Sequence, residues 1–193
     1  ECKVVMVGAG AAGTAITKLL HRYGVGTIYA VDSKGVINDN RTDLNAEKTA
    51  LLTYLESDIS GSLQDVIKGA DIFIGVAHPG VLTPDVIKSV NPGRIVFALA
   101  NPTPEIMPDE ARAAGAAIVA TGRSDFPNQV NNAIAFPGIF RGALDHGVKK
   151  ITDDHKIAAA EAIASLVVSP TREAIIPSVF DEQLVPVISE KII

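Results

Sequence analysis

The sequence predicts an α/β protein with a doubly wound, mainly parallel sheet and a helical C-terminal tail. Short, continuous apolar runs alternate with segments of helical periodicity along most of the chain. Continuous apolar runs are typical of parallel strands covered on both faces, whereas half-exposed strands alternate apolar and polar residues. Strands that alternate with helices favour a parallel sheet joined by right-handed crossovers.

The individual elements follow from the same pattern. The apolar runs predict strands over 3–7, 27–32, 71–76, 94–100 and 116–121. Helical spacing and capping residues predict helices over 11–23, 46–56, 62–68, 84–89, 108–114, 137–146, 152–168 and 181–192. We therefore expect one domain over 1–168 and a helical tail over 169–193 that packs on the same domain.

Composition and charge exclude several classes of protein. The chain has 193 residues, 47% of them hydrophobic, which is enough for one substantial core. The formal net charge is −5 and no long run of Lys or Arg occurs, so we expect no nucleic-acid partner. No apolar segment approaches the roughly 20 residues that span a membrane. The single cysteine, Cys2, excludes an internal disulfide and fits a reducing, cytoplasmic location.

A glycine-rich turn joins the first predicted strand to the first predicted helix. It reads G-x-G-x-x-G, with Gly8, Gly10 and Gly13 at the fixed positions. Gly8 allows the tight turn, Gly10 lets the backbone approach a pyrophosphate, and Gly13 lets helix and strand pack closely. The N–H groups at the helix start then face the anion. We therefore predict a Rossmann-type fold that binds a dinucleotide at Gly8, Ala9, Gly10, Ala11, Ala12 and Gly13.

The acidic residue that ends the second strand bears on which dinucleotide binds. Asp32 lies about 20 residues beyond the turn, where a carboxylate accepts hydrogen bonds from the adenosine ribose. Its charge repels a 2′-phosphate, so the sequence favours NAD over NADP. Lys34 is close enough to pair with such a phosphate, or it is a solvated lysine of the turn. NADP therefore stays possible.

Polar loops follow the three later strands. They read "AHPG" (77–80), "NPTPE" (101–105) and "TGRSDFPNQVNN" (121–132). Ligands of open α/β sheets bind beyond the carboxyl ends of the strands, so we expect these loops to gather beside the glycine-rich turn. The last loop carries the amides Asn128, Gln129, Asn131 and Asn132, and residues 133–136 after it are expected to be buried. Unpaired amides are costly to bury, so we expect them to face the nicotinamide end of the cofactor.

Together these stretches resemble one family. The segments "GAGAAG", "DIFIGVAHPGVLT", "FALANPTPE", "ATGRSDFPNQVNN" and "FPGIFRGAL" look like the cofactor-binding domain of a bacterial-type malic enzyme, in consistent order from about residue 3 to about residue 168. The Asn-Pro and Asn-Asn elements are far more specific than the glycine motif. The resemblance implies oxidative decarboxylation of (S)-malate to pyruvate and CO2, with NAD or NADP and with Mg2+ or Mn2+.

The resemblance also implies roles for three asparagines. Asn101 matches a family residue that contacts malate near the nicotinamide, and Asn131 and Asn132 match paired asparagines that contact malate and the nicotinamide ribose or amide. Asn101 and Asn131 would thus contact cofactor as well as substrate. Uncharged amides orient carboxylate and carboxamide groups without adding a negative charge beside an anionic substrate. The alternative for the pair is an Asn-rich loop that satisfies its own backbone.

The resemblance places the remaining machinery outside this chain. The family's acid/base Tyr and Lys, its carboxylate-binding Arg and its acidic metal ligands precede this domain, and nothing in 1–193 matches them. We therefore expect no catalytic residue and no metal ligand here. The chain begins on Glu1 and reads as a fragment that lacks the N-terminal catalytic segment, although a processed N-terminus is the alternative. The fragment should bind dinucleotide but be inactive on malate, and the complete protein should be a homo-oligomer.

Two other functions stay open. Another two-domain NAD(P) dehydrogenase, acting on an amino acid or on methylene-tetrahydrofolate, would share the fold. A non-catalytic NAD-sensing module would bind NAD without responding to malate. Three charged features have structural interpretations. Arg123 with Asp125 predicts a local salt bridge, and His78 predicts a contact at the loop or cofactor edge. Glu105 and Asp109 are expected at a helix start, where their charge is favourable.

Overall fold

The computed structural model describes residues 2–193, which form two compact units. The first unit ends at Gly122, and the second runs from Arg123 to Ile193. This division lies well before the boundary between 168 and 169 that the sequence predicts, because the helices on either side of residue 168 pack together. Among the described residues, no helix combines the length and the apolar character that crossing a membrane requires.

The first unit is built on a six-stranded sheet in the order β3-β2-β1-β4-β5-β6. Its strands are β1 (Lys3–Val7), β2 (Thr27–Asp32), β3 (Gly35–Val36), β4 (Ile72–Gly75), β5 (Ile95–Ala98) and β6 (Ile118–Thr121). All neighbours are parallel except β3, which pairs antiparallel with β2. The predicted doubly wound, mainly parallel sheet is confirmed. Only β3 was not predicted, because two residues are too few to show a periodicity.

Five helices of the first unit connect these strands. They are α1 (Ala11–Tyr23), α2 (Ala46–Leu51), α3 (Leu63–Val66), α4 (Pro84–Lys88) and α5 (Pro108–Ala113). The helix predicted over 46–56 is shorter, because α2 gives way to a 3-10 turn at Leu52–Tyr54. Polar side chains cap two of these helices: the Asn45 side chain accepts the Lys48 N–H, and the Thr83 hydroxyl accepts the Val86 N–H.

Both faces of the sheet are buried, as the continuous apolar runs predict. Alternate residues of β1 point to opposite sides: Val5 and Val7 belong to one apolar cluster, whereas Val4 and Met6 belong to another. All four side chains are at most 3% exposed. A parallel strand that is covered on both sides gains apolar burial from every residue, so the carboxyl end of β1 is held firmly in place.

The second unit is helical. It contains a 3-10 turn (Asn132–Ile134) and the helices α6 (Phe136–Asp145), α7 (Asp153–Ser165) and α8 (Leu184–Ser189). Glycine lets α8 approach α6 closely, since a Cβ on Gly138 would lie 2.5 Å from the Cβ of Ile188. The predicted C-terminal tail therefore packs on α6 and α7 around a shared apolar core, Ile134, Ala159, Ala162, Leu184, Ile188 and Ile192.

Candidate functional site

The glycine-rich turn has the geometry that its sequence predicts. Gly8 has a φ of +104°, which favours glycine, and its N–H donates to the Val31 carbonyl over 2.9 Å. A Cβ on Gly13 would lie only 1.7 Å from the Gly8 carbonyl oxygen, so a side chain there is incompatible with the close approach of α1 to the turn. Gly10, by contrast, has open space around its Cα and precedes the first residue of α1.

The start of α1 forms a site for an anion. The N–H groups of Ala11, Ala12 and Gly13 lie in the first turn of the helix, where no earlier carbonyl of the helix can accept them. The helix dipole adds a partial positive charge at the same end. Open space at Gly10 leaves the backbone accessible to an oxyanion. These groups fit a pyrophosphate bound against the backbone.

A cleft of about 760 Å³ opens in front of this turn. It lies at the carboxyl ends of β1, β2 and β4, and its walls include Gly8, Gly10, Asp32, Ala77 and His78. The volume falls within the range of known cofactor pockets. The position of the cleft and the anion site together fit an adenine dinucleotide. Asp32, the last residue of β2, lines the cleft where a carboxylate can accept hydrogen bonds from the adenosine ribose. Ala77 and His78, in the loop over 77–80, line the cleft as predicted for this loop.

Asp32 is held by two cations that sequence reasoning missed. Its carboxylate accepts hydrogen bonds from both terminal nitrogens of Arg41, over 2.8 and 3.2 Å, and from Lys48 Nζ. The Asp32 side chain is only 7% exposed. The Lys34 ammonium instead pairs with Asp43 over 2.8 Å and is 66% exposed, which favours its interpretation as a surface lysine. No spacing rule links Asp32 to residues nine and sixteen positions further along the chain, so the sequence contained no sign of the contacts of Arg41 and Lys48.

These contacts make the stability of the fold depend on pH. Burial raises the pKa of Asp32, but hydrogen bonds from Arg41, Lys48 and the Lys34 N–H outweigh it and lower the pKa from 3.8 to about 2. Because the folded pKa lies below the unfolded one, the ionised carboxylate stabilises the native state above pH 4 and loses this effect as the pH falls toward 2. The contribution is about 2 kcal/mol at pH 6 and about 1 kcal/mol at pH 3.

We expect the variant Asp32→Asn to lack this part of the pH dependence. Urea unfolding at pH 6 and pH 3 would give the free energy of unfolding of both proteins. The stability lost by the variant should be larger at pH 6 than at pH 3 by about 1 kcal/mol. An equal loss at both pH values would show that ionisation of Asp32 does not stabilise the folded protein.

The four amides that precede α6 do not share one role. Asn128 is 6% exposed and has a φ of +58°. Its side chain donates to the Arg172 carbonyl over 2.8 Å and accepts the Ile175 N–H over 2.9 Å. This pair of bonds fixes the segment before α8, so Asn128 is a structural residue of the second unit. The expectation that it faces the cofactor does not hold, because its amide is used within the unit.

Asn131 and Asn132 remain exposed at the start of the 3-10 turn. The Asn131 side-chain oxygen Oδ1 accepts the Ala133 N–H over 2.9 Å and so caps this turn, which is part of the structural alternative. Their predicted contacts with malate and nicotinamide stay predictions. The burial expected for residues 133–136 is wrong except at Ile134, since Phe136 is 50% exposed on the outer face of α6.

The loop after β5 holds the remaining candidate, Asn101, which is exposed. In the same segment, Glu105 and Asp109 were expected at a helix start, which is confirmed for Asp109 in the first turn of α5 and is wrong for Glu105. Glu105 is fully buried, and its carboxylate accepts the Ala77 N–H over 2.9 Å and the Ala100 N–H over 3.0 Å. The sequence contained a weak indication of this contact, because an isolated glycine in a strand, here Gly75, indicates the close approach of another group.

The remaining charged side chains include one predicted salt bridge and no group placed to bind a metal ion among the described residues. Arg123 and Asp125 form the predicted local salt bridge over 2.6 Å. Within the described part of the chain, no group of three or more His, Cys, Asp or Glu side chains is placed to hold a metal ion. The expectation that metal ligands lie outside residues 1–193 stays a prediction.

Comparisons with known proteins show the family to which the chain belongs. A family model described as the malic enzyme NAD-binding domain matches residues 1–190. The bifunctional malic/malolactic enzyme of Bacillus subtilis is 53% identical over 98% of this chain, which spans 47% of that protein. The NADP-dependent malic enzyme of Halomonas elongata is 44% identical over 91% of the chain, which spans 42% of it.

A solved structure gives the same result. The NAD-dependent malic enzyme of Thermotoga maritima matches with a TM-score of 0.94 and 46% identity, over 100% of this chain and 51% of that one. The chain thus spans about half the length of these relatives, or less. The resemblance inferred from the glycine, Asn-Pro and Asn-Asn elements is confirmed. The chain belongs to the malic enzyme family and corresponds to its NAD-binding domain.

Proposed function

We propose that the protein carrying this chain oxidatively decarboxylates (S)-malate to pyruvate and CO2. The observation that carries the proposal is the cleft at Gly8, Gly10 and Asp32, in a chain that matches the malic enzyme domain over nearly its whole length. The exposed amides of Asn101, Asn131 and Asn132 support it, since they are available to orient an anionic substrate.

In this proposal the chain binds and orients, and it does not itself supply the acid, the base or the metal ligands. A bound nicotinamide would supply a hydride acceptor, and a divalent metal would supply a Lewis acid. The N–H groups of Ala11, Ala12 and Gly13 hold the pyrophosphate. The amides of Asn101, Asn131 and Asn132 hold malate and the carboxamide in a reactive orientation, and such positioning lowers a barrier by several kcal/mol.

The test is an assay of malate-dependent NADH formation with Mn2+ in a protein that joins this chain to the segment its longer relatives possess. Turnover that requires both malate and the metal supports the proposal. NAD binding without any response to malate would favour the non-catalytic sensing module instead. Turnover with an amino acid or a folate, but not with malate, would favour another two-domain dehydrogenase.

We propose NAD as the preferred cofactor, with NADP as the alternative. The Asp32 carboxylate lies in the cleft and opposes a 2′-phosphate, but Arg41 and Lys48 offset part of its charge. Relatives of both cofactor classes match this chain, one NAD-dependent and one NADP-dependent. In this proposal, the balance between the Asp32 carboxylate and the two cations beside it sets the preference for NAD or NADP.

Removing that carboxylate should shift the preference toward NADP. The variant Asp32→Asn releases Lys48 and one side of Arg41, which stays paired with Asp43, to contact a 2′-phosphate. We therefore expect the ratio of NADP to NAD affinity to rise at least about tenfold, which corresponds to about 1.4 kcal/mol. Isothermal titration with each cofactor gives this ratio. Lys34→Gln is the matched control, and we expect less than about a threefold change because Lys34 pairs with Asp43. A ratio unchanged in Asp32→Asn would contradict this role.

We also propose that the complete protein is a homo-oligomer in which another protein surface covers α6. Phe136, Phe140 and Leu144 recur at every fourth residue of this helix and are 50%, 60% and 82% exposed. The rings of Phe136 and Phe140 contact each other, with centroids 5.8 Å apart. A contiguous apolar face of this kind is typical of an interaction surface, which supports the proposal.

A further inference from the structure

Glu105 is a buried carboxylate that the proposed chemistry does not use. It follows β5 and precedes α5, and its side chain is fully buried. Removing a carboxylate from water is costly unless hydrogen bonds replace the lost hydration. The two carboxylate oxygens accept separate backbone N–H groups, one from Ala77 and one from Ala100. Glu105 is thus bonded to two neighbouring strand ends at once.

Both bonded residues belong to loops of the candidate site. Ala77 begins the loop over 77–80, and Ala77 and His78 line the dinucleotide cleft. Ala100 immediately precedes Asn101, the candidate malate contact. The Glu105 backbone carbonyl also accepts the Gly80 N–H over 3.0 Å, which closes the far end of the first loop. One residue therefore fixes the loop beside the cofactor and the loop that carries Asn101.

The sheet has a space shaped for this carboxylate. A Cβ on Gly75, the last residue of β4, would lie 2.5 Å from the carboxyl carbon of Glu105 and 2.6 Å from one of its oxygens. Any larger residue at this position would exclude the carboxylate from between the strand ends. The buried position of the Glu105 carboxylate therefore requires a glycine at position 75.

We propose that Glu105 is a positioning residue that sets the geometry of Asn101 and of the loop over 77–80. The inference rests on the proposed function, because the contact of Asn101 with malate is part of it. Glu105 acts only through the two backbone N–H groups that it accepts. An amide in its place offers one acceptor and one donor, so one of those N–H groups would oppose another donor. The loop that meets the amide nitrogen would then move.

Glu105→Gln in the complete enzyme tests this role, with Asp71→Asn as the matched control. The Asp71 carboxylate also accepts a backbone N–H, from Lys3 over 2.8 Å, and a side-chain N–H from Asn91, but at the opposite edge of the sheet. At saturating NAD and Mn2+, we expect Glu105→Gln to lower kcat/KM for malate at least about tenfold. Asp71→Asn should change it less than about twofold even where it lowers the unfolding midpoint.

A double-variant cycle separates positioning from general stability. If Glu105 acts through Asn101, Glu105→Gln should cost less activity in a protein that already carries Asn101→Ala than in the wild type, because only the loop over 77–80 is then left for it to position. Full additivity of the two losses, or equal losses in Glu105→Gln and Asp71→Asn, would overturn the proposal. If Glu105→Gln does not fold, Glu105→Asp, which keeps the charge but shortens the reach, enters the same comparison. A wild-type enzyme inactive on malate would instead refute the proposed function itself.

Discussion

Gly13→Ala is expected to destabilise the folded chain by at least about 3 kcal/mol, a large part of the stability of an ordinary domain. The added methyl group would lie 1.7 Å from the Gly8 carbonyl oxygen and 3.4 Å from the Val76 side chain. The contact with Gly8 is a backbone contact, so no side-chain rotation can relieve it. Either α1 moves away from β1 or the turn opens. Urea unfolding followed by circular dichroism measures the loss.

Gly10→Ala is the matched control in the same motif. No atom lies within 4 Å of the methyl group that this variant adds, and Gly10 has a φ of −84°, which alanine adopts readily. Its stability should therefore stay within about 1 kcal/mol of the wild type. The methyl group would stand between the backbone and a pyrophosphate, so the affinity for NAD should fall at least about tenfold. Wild-type stability in Gly13→Ala, or wild-type NAD affinity in Gly10→Ala, would contradict these separate roles.

Most of the fold could be predicted from the sequence because its signals are local. The apolar runs of β1 and β4 are buried on both faces, so burial alone marks them as strands. Asn45 and Thr83 start helices by accepting N–H groups three residues ahead, which short spacing reveals. The errors also have local causes. The helix predicted through residue 56 ends early, and β3 is too short for any period to show.

The candidate site was less predictable because its decisive contacts are not local. Arg41 and Lys48 reach Asp32 from nine and sixteen residues away, one from a loop and the other from α2. Glu105 meets Ala77 across 28 residues, where the sequence shows only a charged residue in a Pro-rich loop. The amides near α6 look equivalent in the sequence, yet the contacts of Asn128 with Arg172 and Ile175 give it a structural role. Contacts between distant segments follow from the fold, which spacing rules do not describe.

Asn131→Asp is expected to lower kcat/KM for malate at least about a hundredfold. This is the largest effect on activity that we expect from any single substitution. The substitution replaces an amide nitrogen by an oxygen, and under the proposed function it places a negative charge beside an anionic substrate and the carboxamide. It keeps the capping contact with the Ala133 N–H, since aspartate caps as well as asparagine does. The unfolding midpoint should therefore be unchanged, which separates a role in substrate orientation from a role in the turn.

The most direct test of the account is therefore the kcat/KM for malate of wild type and Asn131→Asp, measured at saturating NAD with Mn2+ in the complete enzyme. The proposed function has this amide orient malate and the carboxamide of the nicotinamide. It predicts a folded, NAD-binding variant that has lost at least about 99% of its malate efficiency. A variant that consumes malate as efficiently as the wild type would show that the amide serves only its own turn.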